Sequence, residues 1–315
     1  MKLEDLQAIN AFLPEALHMC RATAVSGEVA SYIPELSKKP KEALGICIID
    51  RSNGCVTAGD VDLPFTLQSI SKVFTLILAL MDNGEEAVFA KVGKEPTGDD
   101  FNSMLKLELV EPGIPFNPLI NAGAIVISSL IAGNSPQEKA DRILQFFRKI
   151  SHNHAIHVDM DVYASESASA HRNRSLAYFL KDNGVLTDEV DVEEVLDVYF
   201  RHCSIEVTCK DIARMALLLA CDGTDPVTGE NIIPRRYVQI AKTFMITCGM
   251  YNASGEFAIG VGLPAKSGVS GGILTLLPGR YGIAVVGPAL NSKGNSVAGV
   301  HLLETLSAKF NWSMF

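Results

Sequence analysis

Apolar residues recur at helical spacing between residues 3 and 22 (Leu6, Ile9, Phe12, Leu13, Leu17), which predicts an amphipathic helix interrupted near Pro14. A polar link through Gly27 leads to Tyr32, Ile33 and Pro34. The period then shortens. Residues 43–50 (ALGICIID) form a β-rich run, Ser52, Asn53 and Gly54 make a turn, and residues 55–59 return as the antiparallel partner. An unbroken apolar stretch follows at 65–81 (FTLQSISKVFTLILALM) and reads as a helix that stops after Asn83 and Gly84. Residues 85–260 read as mostly helical, with loops at EPTGDD, EPGIPFNP, SHNHAIHVD and CDGTDPVTGEN. Strand signals resume at 257–262, 268–277 and 281–286, where Pro278, Gly279 and Arg280 turn the chain between the last two. A terminal helix is expected over about 296–310.

The long gap between the first hairpin and the later strands predicts a helical insertion, not alternating βαβ units. The expected class is α/β in its α+β form: an antiparallel sheet flanked by N- and C-terminal helices, with a mostly helical inserted part. No repeat, low-complexity tract or long linker divides the chain, so residues 1–315 are expected to form one domain. Within it, 1–64 and 257–315 carry the sheet and 65–256 the helices.

Composition narrows the class of partner. Hydrophobic residues at 48% and charged ones at 20% describe an ordinary globular protein, and a formal charge of -9 without a basic tract argues against nucleic acid. The seven cysteines are scattered with no C-x-x-C pair, as expected of reduced thiols in a cytoplasmic protein. The opening MKLEDLQAINAFLPEAL has acids where a secretory signal needs bases, and no apolar run is long enough to span a membrane.

Chemistry concentrates in two places. Ser69 and Lys72 stand three positions apart in the apolar stretch, so hydroxyl and amine share one helix face. Burial disfavours the ammonium, which leaves neutral amine to take a proton from serine. A second S-x-x-K, Ser103 to Lys106, shows how readily this spacing arises by accident. Lys266-Ser267-Gly268, on the strand before the last hairpin, supplies a rarer K-[ST]-G triplet, in the order found in penicillin-recognising serine enzymes. Together they predict a Ser-Lys acyl-transfer site.

Other motifs carry weaker readings. Residues 268–272 spell G-x-S-x-G, but an extended run and a hairpin follow in place of the required helix, and the one later histidine is His301. Gly260 to Ser267 approaches a P-loop, with Ala265 in place of the final glycine. His152, His154 and His157 alternate beside Asp159 and Asp161 and read as a solvated loop in preference to a metal site. Cys203 beside His202 reads as core packing, since adjacent side chains point apart.

Taken together, Tyr32-Ile-Pro-Glu-Leu, Phe65 to Lys72, Pro115 to Ala124, Tyr163-Ala-Ser-Glu166, Arg172-Asn-Arg174, Tyr199 ahead of Cys203-Ser204, Gly249-Met-Tyr251 and Lys266 to Gly272 closely resemble the bacterial serine-dependent glutaminases of the β-lactamase-like superfamily, over essentially the whole chain. The resemblance implies a β-lactamase/transpeptidase-like fold and hydrolysis of L-glutamine to glutamate and ammonia, with no metal or organic cofactor. It implies Ser69 as nucleophile, Lys72 as base and the backbone N–H groups of Ser69 and Val269 as oxyanion hole. Tyr32, Gln68, Asn121, Glu166, Asn173, Tyr199 and Tyr251 would line the glutamine pocket, with Lys266 in support and Lys72, Tyr251 or Tyr199 delivering the leaving-group proton. Glu166 suits an α-ammonium, and the asparagines and tyrosines suit an α-carboxylate. A homo-oligomer, dimer or tetramer, is expected on the same ground. The competing readings are a β-lactamase or peptidoglycan peptidase, for which Ser151-His152-Asn153 would be the second motif, and a non-enzymatic amino-acid sensor.

Overall fold

A computed structural model describes residues 6–97 and 113–315; the second S-x-x-K, Ser103 to Lys106, lies outside the described residues. The first helix, α1 (Leu6–Arg21), runs through Pro14 without a break, burying Ile9, Leu13, Ala16 and Cys20 on one face. The spacing of that apolar stripe holds the helix together across the missing N–H of proline. Strands β1 (Gly45–Asp50) and β2 (Cys55–Gly59) form the expected hairpin. The short β3 (Phe65–Thr66) and a 3-10 turn (Gln68–Ile70) lead into α2 (Ser71–Phe89), whose backbone leaves helical geometry at Gly84, φ 78°. The apolar stretch thus becomes a buried helix that breaks where glycine allows it.

Helices α3 (Asn121–Leu130), α4 (Pro136–Ser151), α5 (Met160–Ser169), α6 (His171–Asp182), α7 (Val192–Cys203), α8 (Cys209–Ala220) and α9 (Arg235–Cys248) make up the helical part. Two strands too short for a periodic signal, β4 (His157–Val158) and β5 (Ile205–Val207), join β3 in a small antiparallel sheet.

Residues 257–262, read from sequence as a strand, belong instead to α10 (Ser254–Gly260) and the turn after it. A strand would put Phe257, Ile259 and Val261 on one face, yet Phe257 and Val261 are buried while Ile259 is 90% exposed. Burial at an interval of four is the helical repeat. The stretch 268–277 likewise divides: β6 (Ala265–Ser267) precedes a tight turn, and β7 (Gly272–Leu277) follows it. Gly268 N–H donates to the Gly272 carbonyl at 2.9 Å, and Gly271 takes φ 94°, which closes that turn. Strand β8 (Tyr281–Val286) and the terminal helix α11 (Val297–Phe310) complete the chain.

The main sheet is antiparallel throughout, in the order β2-β1-β8-β7-β6. Its strands are apolar on both sides because both are covered. Ile46, Ile48, Ile283 and Val285 join a core with α1 and α11, while Cys47, Ile49, Ala284 and Val286 join a larger one with α2 and α8. The alternation assigns each side chain to its core. Among the described residues no helix is long and apolar enough to cross a membrane.

Helix α8 presses on the sheet where β8 has no side chain: a Cβ on Gly282 would sit 2.1 Å from the Ala213 carbonyl oxygen and 2.2 Å from the Leu217 nitrogen. Gly282→Ala should therefore cost about 2 kcal/mol or more, since helix backbone must move to admit a methyl group. Gly279→Ala, at φ 72° with open space around it, should cost only about 1 kcal/mol. Urea midpoints of the two variants check the ranking, and equal midpoints would show that the helix moves freely.

Candidate active site

Ser69 sits in the middle of the 3-10 turn, 8% exposed, and the residue before it holds φ 46°. A left-handed glutamine is strained, and the surroundings fix it. Gln68 Nε2 donates to Thr66 Oγ1 and to Glu166 Oε2, both at 3.3 Å, and its carbonyl accepts from Ser71 Oγ at 2.6 Å. The β6–β7 turn lies directly against this segment. A Cβ on Gly268 would meet the Leu67 carbonyl at 2.6 Å, and Ser270 Oγ donates to the Thr66 carbonyl at 2.6 Å. The Lys-Ser-Gly strand thus faces the serine turn, with glycine at the point of closest approach.

Lys72, in the first turn of α2, is fully buried. Its amine donates to Asn121 Oδ1 at 2.7 Å and to the Leu119 carbonyl at 3.3 Å, and lies 5.9 Å from the centre of the Tyr199 ring. Burial brings its pKa down to about 8, with Cys203 and Glu166 pulling weakly the other way. The direct Ser69–Lys72 hydrogen bond suggested by the spacing is not made: the serine hydroxyl bonds the Tyr251 hydroxyl, and two carbonyl oxygens hold the amine. Tyr251, at φ 55°, donates to the Ser267 carbonyl at 3.2 Å, so Ser69 is the donor in their contact. Burial raises the phenol to about 12, which keeps it protonated.

Lys266 is fully buried too, donates to the Ser267 carbonyl at 2.7 Å and lies 4.3 Å from the centre of the Tyr251 ring. Burial first and the Lys72 charge second hold its pKa well below the usual lysine range. Asn121 Nδ2 donates to Asn173 Oδ1 at 2.9 Å, which joins α3 and α6 at the amine. Glu166, 5% exposed on α5, is pushed up to about 7 by burial, against the Gln68 hydrogen bond and the Lys72 charge. Tyr32 is exposed as a residue, and desolvation of its phenol, with Tyr251 and Glu166 nearby, raises its pKa. Tyr32 and Val269 line a cleft of about 580 Å³ that opens beside Tyr251. The residues named for the glutamine site are thus linked to one another through these contacts around the serine turn.

A brace behind the serine turn carries no sequence motif. Ser71 donates its one hydroxyl proton to the Gln68 carbonyl, so it accepts from His202 Nδ1 at 2.8 Å, while Nε2 faces the Ser128 hydroxyl at 3.0 Å. Burial lowers the His202 pKa to about 3, so the ring stays neutral. Cys203 does come within 3.9 Å of His202 Nδ1, but burial raises its thiol and it packs in the core.

The weaker motifs lie elsewhere or take other geometry. The G-x-S-x-G residues form a hairpin turn. Ser151 caps the end of α4 through the Phe147 carbonyl, and Asn153 bonds Asp211, away from Ser69. His152 pairs with Asp225 at 2.7 Å and His157 faces Glu206 at 3.9 Å. Among the described residues no group of three or more His, Cys, Asp or Glu side chains is placed to hold a metal.

A sequence profile described as Glutaminase matches residues 27–315. A protein named Glutaminase from Clostridium botulinum (strain Loch Maree / Type A3) is 53% identical over 307 residues, covering 98% of this chain and 100% of that protein. The crystal structure of a Bacillus glutaminase in the presence of 4.3 M NaCl matches with a TM-score of 0.90 at 41% identity, covering 97% of this chain and 99% of the other. The covalent complex of a Bacillus subtilis glutaminase with 5-oxo-L-norleucine, formed by reaction with 6-diazo-5-oxo-L-norleucine, matches with a TM-score of 0.87 at 39% identity, covering 97% and 99%. The fold is the β-lactamase-like one of these glutaminases. The chain belongs to the glutaminase family.

Proposed function

We propose that this glutaminase hydrolyses the side-chain amide of L-glutamine to L-glutamate and ammonia at Ser69, through a glutamyl ester on that oxygen. The observation that carries the reading is a fully buried Lys72 one helical turn from a buried Ser69, with the β6–β7 turn packed against the serine segment at Gly268. The covalent complex of the Bacillus subtilis relative with 5-oxo-L-norleucine supports a covalent route.

A neutral amine has two N–H donors and one lone pair. Asn121 and the Leu119 carbonyl take up the two donors of Lys72, which leaves the lone pair to accept the Ser69 proton as the oxygen attacks the amide carbon. The N–H groups of Ser69 and Val269 stabilise the oxyanion, and each such donor is worth about 3 kcal/mol in the transition state. Ammonia departs only if its nitrogen is protonated. Tyr251, in contact with Ser69 and still carrying its proton, delivers it, with Lys72 replacing what the phenol gives up. Water then hydrolyses the ester by the reverse transfers. Glu166 holds the α-ammonium, while Asn121, Asn173, Tyr32 and Tyr199 bind the α-carboxylate and Gln68 and Val269 shape the pocket between them. Lys266 keeps Tyr251 in place. The seven unpaired cysteines, one of them exposed, support a reducing cytoplasmic setting, and the family resemblance supports a homo-oligomer.

Ser69→Ala should lower ammonia release by at least about a thousandfold while calorimetry still detects glutamine binding; near-normal turnover would remove Ser69 as nucleophile. Lys72 is active without its proton and Glu166 without its own, so kcat/KM should rise with pH through about 7 to 8 and level off above. A profile flat from pH 6 to 9 would contradict both roles. Tyr251→Phe should depress kcat more than it changes KM, and an unchanged kcat would take the phenol out of the proton relay.

A further inference from the structure

Away from the Ser69 cluster, the edge of the main sheet holds two thiols in contact. The β1–β2 register sets Cys47 opposite Thr57 and Cys55 opposite Ile49, so the cysteines are diagonal neighbours on one face. Their sulfurs are 3.6 Å apart. Cys47 is fully buried, whereas Cys55 is exposed on β2, the outermost strand. We propose that Cys47 and Cys55 form a thiol-oxidation site in which Cys55 reacts with a hydroperoxide and Cys47 resolves the product to a disulfide.

The surroundings assign the two roles. Lys210 and Arg214 project from α8 towards Cys55, Lys210 also pairing with Asp62 at 2.8 Å and Arg214 donating to Asn53. The hydrogen bond from Cys47, then these two cations, bring the Cys55 pKa down to about 7 against the effect of burial. The same contact and burial push Cys47 up. The shared proton thus sits on the buried sulfur and the charge on the exposed one. Each of the other six thiols is raised, and nearby Cys209 is buried with its proton on the Gly45 carbonyl at 3.7 Å.

The Cys55 thiolate attacks the terminal peroxide oxygen. The O–O bond breaks, the alkoxide or hydroxide leaves and takes a proton from water, and Cys55 becomes a sulfenic acid, oxidised by two electrons as the peroxide is reduced. The Cys47 sulfur then attacks the Cys55 sulfur. The S–O bond breaks, and hydroxide leaves as water with the Cys47 proton. Closing from 3.6 Å to the bonded length of about 2.05 Å requires about 1.5 Å of movement, which β2 can supply because it is bonded to a strand on one side only.

The full chain and its Cys55→Ser and Cys47→Ser variants are treated with hydrogen peroxide at pH 7, labelled with dimedone, and mapped by mass spectrometry without reduction. The wild type should show a Cys47–Cys55 disulfide, reversed by dithiothreitol. Cys55→Ser should show none, and Cys47→Ser should accumulate dimedone adduct and sulfinic acid at residue 55. The lowered pKa of Cys55 raises its thiolate fraction at pH 7 by more than it lowers nucleophilicity, so iodoacetamide should modify Cys55 several-fold faster than Cys221 or Cys248, whose thiols are raised. Oxidation of Cys221 or Cys248 ahead of Cys55, or Cys55 sulfinic acid beside unreacted Cys47 in the wild type, would overturn the proposal. Neither sulfur touches the Ser69 cluster, so unchanged glutamine turnover by both variants shows that they are folded.

Discussion

The site depends on keeping one amine out of water. Lys72 is enclosed by apolar helix and offered only neutral acceptors, Asn121 Oδ1 and the Leu119 carbonyl. Among the described residues no carboxylate forms a salt bridge with it, and Glu166 acts on it only from a distance. A buried ammonium with so little compensation is costly, and the proton is the easiest thing to give up. Lys266 faces the same burial with the Lys72 charge added, and both hold its pKa well below the usual lysine range. Lys72 is brought to about 8, near neutrality, while Lys266 packs against the face of the Tyr251 ring.

The fold supplies this dryness from two directions. Helix α2 enters the larger core with every side chain from Ser71 to Leu80 buried, so its first turn, where Lys72 stands, has no access to solvent on the helix side. On the other side the sheet brings β6 and its turn against the serine segment, and the approach is close enough that only glycine fits at position 268. The same closeness recurs at Gly282, where α8 rests on β8. Stacking helices this tightly on both faces makes the central strands β1, β7 and β8 almost wholly apolar, and at Gly268 the serine turn is held by backbone meeting backbone.

Much of this was legible in the residues. The Ser69–Lys72 spacing, the apolar stretch around it and the Lys-Ser-Gly triplet mark the two segments that pack together, and the 45–59 hairpin and 281–286 strand follow from β-rich runs bounded by turn residues. Other parts were not. Glu166, Asn121, Asn173 and Tyr199 lie on four different helices, and local periodicity says which face of a helix is buried but not which helices converge; only the family resemblance named them. Residues 257–262 misled because their β-branched and glycine content mimics a strand, and the tertiary packing of Phe257 and Val261 decides otherwise. The Ser71–His202–Ser128 brace was invisible for a plainer reason. Its members are common residues far apart in the chain, each serine more than seventy positions from the histidine, and nothing in their spacing relates them.

That brace bears on how the chemistry responds to acid. His202 touches Ser71, which holds the carbonyl of the strained Gln68, so a charge on the imidazole would reach the serine turn directly. Burial, with the Lys72 charge nearby, keeps the ring neutral down to about pH 3, far below the range in which Lys72 and Glu166 change state. The scaffold of the serine turn therefore stays constant while Lys72 and Glu166 titrate. A histidine would normally be the first suspect for any pH effect near neutrality. Here its two serine partners and its depth in the core remove it from consideration, and the pH response of the site falls to a lysine and a glutamate whose ordinary pKa values lie well outside that range.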